Sequence, residues 1–328
     1  YIRLTQKHYL QWSLVATHTS EPDDTSMTSG LNDYLFDEGR HTAAFDGESF
    51  WGHAFYLSTG RMSKHEVLDI SYYERSPRFR ADNGFEPRNN QRRIQFYAGY
   101  NLYPNGKLVH QLRPYIRAGR IWNFNSMIKE DYISIEMDAH LTAQASIHPA
   151  FYINRENYLG VQFDNIWLFH FCAHSDFSKP LGINMAANYG HQIARRVADP
   201  VLGKELSLYL SGYIKPTERF RIEPTWRYTR SNHIDTDEIL YEAYTLRTRL
   251  SYQLNREFSV RLITQYDDFY KNWEIDPLIT YQINPFTLLY AGSTHDIHDY
   301  DSHDEFDDIG LRQTSRQFFF KIQYLIQM

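Results

Sequence analysis

The chain is 328 residues long, with a formal net charge of −6 and a mean hydropathy of −0.58. The acidic balance argues against a nucleic-acid surface, and a single cysteine, Cys172, excludes an internal disulfide framework. No apolar run reaches the roughly 18 residues of a membrane-spanning helix. Aromatic residues make up 16% of the chain, led by 26 Tyr and 21 Phe. So many tyrosines with so few apolar runs suit a membrane barrel, whose strands are individually weak signals. No leader stands at Tyr1, as expected of a mature chain or a fragment.

Period-two alternation predicts strands at about 7–18, 50–60, 64–75, 92–103, 109–124, 131–143, 147–156, 162–173, 181–192, 204–214, 219–230, 239–254, 257–269, 274–283, 286–292 and 315–328. In the sixth, Ile133, Ile135, Met137, Ala139 and Leu141 oppose Ser134, Glu136, Asp138, His140 and Thr142. In the eleventh, Phe220, Ile222, Pro224, Trp226 and Tyr228 oppose Arg219, Arg221, Glu223, Thr225 and Arg227. No helix of useful length, Ser/Gly linker or composition shift interrupts the series, so one domain over 1–328 is expected.

The connections sort into two classes in near-strict alternation. Short ones include Gly60–Ser63, Pro104–Gly106, Lys215–Glu218, Asn255–Glu257 and Asn284–Pro285. Long ones include 19–49, 76–91, 193–203, 231–238 and 293–314. Outer-membrane barrels have tight periplasmic turns, long extracellular loops and an even strand number, whereas a sandwich has no reason to sort its loops. The expected fold is therefore all-β, a transmembrane antiparallel outer-membrane β-barrel of about 16 strands (14–18).

A barrel fixes the faces. The apolar parity meets lipid, because arginine at the bilayer midplane costs ~2–4 kcal/mol per residue. The other parity lines the lumen, with a basic wall of Arg219, Arg221, Arg227, Arg247, Arg249 and Arg261. Inward acids are Asp69, Glu136 and Asp138. Facing basic and acidic walls would set a transverse field that selects small polar or charged solutes. Alternatively the arginines pair with Glu223 and other acids and fill a closed barrel.

The final segment, RQFFFKIQYLIQM, resembles the C-terminal strand by which outer-membrane barrels are presented for assembly, with Met328 where Phe is usual. A second resemblance begins in YYERSPRFRADNGFEPRNN (Tyr72–Asn90) and continues in TERFRIEPTWRYTR, LRTRLSYQLNREFSVRLITQY and NPFTLLYAGS. From about Ala44 onward the chain resembles the C-terminal barrel of a family found mostly in Bacteroidetes. Its members pair an N-terminal domain similar to carbohydrate-binding module family 9 with a C-terminal domain of unknown function. That module has no counterpart within these residues. The resemblance implies an outer-membrane barrel and, through the module, a connection to saccharides. Its most specific element is the loop Asp82, Asn83, Gly84, Phe85, Glu86, Pro87 and Arg88, in which Phe85 would anchor a segment that folds inward or caps the barrel.

One more stretch, GSTHDIHDYDSHDEFDDIG, sets His295, His298 and His303 among aspartates. His295, Asp296, His298 and Asp299 form a candidate metal group in an extracellular loop, although their spacing matches neither a calcium loop nor a helical zinc site. Asp296-Ile297-His298 resembles the Asp-x-His of outer-membrane aspartyl-type proteases, but no second acidic pair stands out, and an enzyme is not expected. The scattered His53, His65, His110, His140 and His170 read as lumen or interface fillers. No cofactor is expected. Expected partners are outer-membrane lipid and lipopolysaccharide, the barrel assembly machinery and other envelope proteins of a Gram-negative cell. Two functions fit: a pore or transport barrel for polar solutes such as saccharides, or a structural, partner-binding barrel with a blocked lumen.

Overall fold

In the computed structural model the chain is almost entirely β, with one 3-10 turn at Thr25–Thr28. The structure describes all residues except 82, 83, 85–87, 105, 196, 198, 301–309 and 326–328. The strands are β1 (Ile2–Arg3), β2 (His8–Ser20), β3 (Leu35–Phe36), β4 (His41–Thr42), β5 (Ser49–Met62), β6 (Glu66–Arg75), β7 (Gln91–Tyr100), β8 (Val109–Trp122), β9 (Ile128–Leu141) and β10 (Ala145–Tyr158). They continue as β11 (Val161–Ser178), β12 (Leu181–Ala194), β13 (Val201–Thr217), β14 (Phe220–His233), β15 (Ile239–Gln253), β16 (Phe258–Asp267), β17 (Asn272–Asn284), β18 (Thr287–Asp299) and β19 (Leu311–Tyr324).

The two-residue β3 and β4 pair with each other, and the rest belong to one 17-stranded sheet. Apart from the two-residue β1, each strand of that sheet overlaps one predicted from the alternation. The chain divides into two compact units, one of Tyr1–Pro104, Gln111–Asp138 and Ala150–Trp167, the other of Asn105–His110, Ala139–Pro149 and Leu168–Met328. In the first unit β2, β5, β6, β7 and β8 pair antiparallel in sequence order. In the second the same meander runs through β12 to β19.

Burial along these strands is inverted relative to a water-soluble sheet. Ser58, Ser134, Ser231 and Glu136 are buried, while Ile70, Ile135, Ile153 and Leu246 are exposed. In β9 the contrast falls between neighbours: Ser134 is 1% exposed and Ile135 61%. Adjacent strand residues point to opposite faces, so one face is polar and covered and the other apolar and bare. Moving a Leu or Ile side chain from water into hydrocarbon recovers roughly 1.5–3 kcal/mol. Such a sheet is stable with its apolar face in lipid.

The strand ends depart from expectation where the flanking sequence is polar. β18 extends to Asp299 rather than stopping near 292, β19 starts at Leu311, and β11 runs on to Ser178. Beyond the hydrocarbon both faces of a strand meet water, and the apolar alternation that marks a strand disappears although the hydrogen-bond ladder continues. The connections keep their sorting with three exceptions, one of them 268–271, which lies on the long-loop side between β16 and β17 and at four residues is no longer than 254–257 on the short-turn side. Leu159–Gly160, on the long-loop side, is a two-residue turn with both φ values positive (50° and 85°), the geometry a tight hairpin needs. The stretch 101–108, on the short-turn side, has eight residues between β7 and β8.

The sorting makes an orientation testable. An epitope inserted at Thr236, between β14 and β15, should be reached by antibody on intact cells. One at Asn255, between β15 and β16, should be reached only after the outer membrane is opened. The reverse pattern would show the opposite orientation.

Candidate functional site

The basic wall is built by register. Arg221 lies opposite Ser251, Glu223 opposite Arg249, Thr225 opposite Arg247 and Arg227 opposite Thr245. Arg247 in turn faces Gln265, and Ser251 faces Arg261. Arg221, Arg227, Arg247, Arg249 and Arg261 therefore share the polar face of β14–β16. Arg219 does not join them. The strand begins only at Phe220, so Arg219 sits exposed in the preceding turn, its backbone N–H donating to Thr217 Oγ1 at 3.3 Å.

Pairing on this wall is partial. Glu223 takes Arg221 at 2.9 Å and Arg249 at 3.6 Å. Arg221 also stacks over Tyr213 at 4.7 Å and Arg227 over Tyr209 at 5.3 Å. Among the described residues Arg247 and Arg261 have no carboxylate at ion-pair distance. Beside the wall, on the same face, runs an acidic strip that the sequence reading missed. Glu274 faces Gln265 on one side and Asp296 on the other, and Asp276 faces Ile263.

The acids singled out from sequence lie in the first unit and are compensated locally. Asp69 accepts from Tyr9 Oη at 2.6 Å and from Ser58 Oγ. Glu136 accepts from Ser134 Oγ at 2.6 Å and Tyr115 Oη at 2.9 Å, with Arg117 3.6 Å away. Asp138 pairs with Arg113, whose Nε lies at 3.0 Å. A buried carboxylate requires such donors. With Arg113 and Arg117 supplied by β8, these acids present no uncompensated wall. Both arginines sit on the polar parity of HQLRPYIRAGRIW, so the signal was there.

The loop side of the first unit carries a cap. Segment 76–81 leaves β6 and lies against the polar face of β2 and β5. Arg80 N–H donates to Thr17 Oγ1 at 3.4 Å, and Phe79 is buried. A Cβ on Gly52 would fall 2.3 Å from the Arg78 carbonyl oxygen and 2.4 Å from Phe79 Cα, so the segment passes where only glycine leaves room. From the β2–β5 loop, Glu21 meets Arg80 at 2.6 Å and Asp37 meets Arg78 at 3.4 Å. The Arg80 guanidinium covers Phe50 at 5.3 Å and Phe36 at 6.0 Å, and those rings meet edge-on. Burial pushes the Glu21 carboxyl above the usual carboxylate range, with Arg80 opposing the shift.

This cap flanks the motif loop. Gly84 N–H donates to the Ala81 carbonyl at 2.9 Å, and the Arg88 carbonyl accepts from Arg75 at 3.4 Å. Asp82, Phe85 and Pro87 lie outside the described residues. Among the described residues of 76–90, Phe79 is a buried aromatic.

The candidate metal group is not brought together. His295, Asp296, His298 and Asp299 belong to β18, and alternation sends His295 and Asp299 to one face, Asp296 and His298 to the other. His303 and the acids of 301–309 lie outside the described residues. In the second unit, a cavity of about 740 Å³ opens at the loop end of β14–β16, lined by Arg227, Thr229, Tyr241, Thr245 and Asp267.

No family model matches the chain, and no curated protein matches it. Among solved structures it is similar to a variant of the ferric enterobactin receptor of Pseudomonas aeruginosa, with a TM-score of 0.57 at 9% identity, over 99% of this chain and 60% of that one. It is also similar to a siderophore receptor of Acinetobacter baumannii, with a TM-score of 0.49 at 7% identity, over 98% of this chain and 62% of that one. The chain thus spans about three fifths of the length of either receptor. With the exposed apolar face, the first likeness shows the fold: a transmembrane antiparallel β-barrel of the outer-membrane type.

Proposed function

We propose that the chain is an outer-membrane barrel that admits polar or charged solutes through a lumen lined by the basic wall and the acidic strip. The observation that carries this reading is the unpaired state of Arg247 and Arg261 on the polar face, among the described residues. A filled, dry interior would leave these guanidinium groups without a contacting carboxylate at a cost of several kcal/mol, whereas a wet lumen solvates them. The cavity at the loop end of the wall offers guanidinium, carboxylate, hydroxyl and aromatic groups together. That combination suits a polyhydroxylated solute such as a saccharide, and it agrees with the family resemblance. The receptor likeness supports a transport role without indicating this solute.

Planar-bilayer recording of the refolded chain tests the reading. A stable open current is expected, with Arg247→Gln and Arg261→Gln each moving the reversal potential toward cations. A second reading, a partner-binding barrel with a blocked lumen, is favoured by the inward-seated cap. Silence from both the native chain and a variant with the cap displaced would support it and overturn the first.

A further inference from the structure

His148, His170 and Cys172, all in the second unit, each offer a ligand atom, and these atoms lie within 4.8 Å of one another. His170 and Cys172 are two apart on β11, which turns both side chains to one face. His148 comes from β10, and its ring meets that of His170 edge-on with centroids 5.6 Å apart. Cys172 and Ala186 are register partners, and Ala186 lies between Asn184 and Asn188 on the same face of β12, so the group sits on the polar side of the sheet. His170 Nδ1 is 2.6 Å from Asn188 Oδ1. With Nδ1–H donated to that oxygen, Nε2 keeps its lone pair. A metal-binding histidine characteristically has its other ring nitrogen held in this way.

We propose that His148, His170 and Cys172 form a binding site for a borderline-soft transition-metal cation, Zn²⁺, with the fourth coordination position open to the lumen. Two imidazoles and a thiolate suit zinc, whereas calcium and magnesium take oxygen donors. Tetrahedral zinc with bonds of about 2.0–2.3 Å holds its ligand atoms roughly 3.3–3.8 Å apart, so closing on the ion requires side-chain adjustment of about 1 Å. Cys172 binds as thiolate, releasing its proton to solvent as the Zn–S bond forms. An open fourth position makes this a station that a water molecule or an anionic solute can complete. The site is independent of whether the lumen conducts.

The test uses the full chain folded in detergent micelles, titrated with Zn²⁺ against a chromophoric chelator and separately with Co²⁺. The native chain should bind one equivalent, protect Cys172 from alkylation and show a thiolate-to-cobalt charge-transfer band. Cys172→Ser should lose the band, and Cys172→Ser and His148→Gln should each weaken Zn²⁺ binding at least about 100-fold. Asn188→Ala should weaken it by about 10–100-fold. Heat-modifiable gel migration confirms that each variant is folded, and a variant that fails this check is replaced by His170→Gln. Native-like affinity in folded Cys172→Ser, or no charge-transfer band in the native chain, overturns the proposal.

Discussion

Leu250→Arg should fail to reach the folded, heat-modifiable form, while Arg249→Leu, one residue away, should assemble normally. Leu250 stands on the apolar face of β15, opposite Ile222 on β14 and Leu262 on β16. An arginine there is held against hydrocarbon at ~2–4 kcal/mol near the midplane, and Leu262→Arg added to it roughly doubles the cost. A typical fold has only about 5–15 kcal/mol to lose. Arg249 lies on the polar face, and its loss still leaves Glu223 paired with Arg221. Assembly is read as the fraction of compact, heat-sensitive band in outer-membrane fractions. Equal tolerance of Leu250→Arg and Arg249→Leu would mean that inside and outside are misassigned.

The second large effect is expected from Gly52→Val. Valine is a good strand residue, so β5 should keep its ladder to β2 and β6. Its Cβ nevertheless cannot share space with the Arg78 carbonyl and Phe79 Cα. Segment 76–81 must lift, exposing Phe79 and separating Arg80 from Glu21. The folded band should persist, trypsin should gain cleavage at Arg78 and Arg80, and single-channel conductance should rise severalfold as the cap leaves the lumen. Cleavage and conductance unchanged from the native chain would show that the cap is not seated on Gly52 in solution.

Sequence alone reached far in the strands and stopped at contacts between them. Ile133 to Leu141 alternate cleanly because lipid on one side and lumen on the other impose opposite chemistries on adjacent residues. In THDIHDY (Thr294–Tyr300) both faces are polar, so an extended strand reads as a loop and its histidines as a loop cluster. The basic wall was legible because parity fixes a face, and it failed only at Arg219, one residue before the strand begins. The cap was not legible, since nothing local to Gly52 announces that Phe79 will pass over it. His148 and Cys172 were equally invisible as a pair, because their proximity depends on a register that no alternation specifies. The compensation of Asp138 by Arg113 shares that cause.

The length of the strands also sets how much of the sheet hydrocarbon can cover. β13 has 17 residues, about 56 Å of extended chain, and at the 35–45° lean of outer-membrane strands it climbs about 40–46 Å. The apolar band of such a membrane is only about 25 Å tall. About 15–20 Å of hydrogen-bonded strand therefore extends past the hydrocarbon, shared between an end that carries Lys204 and Glu205 and an end that carries Lys215.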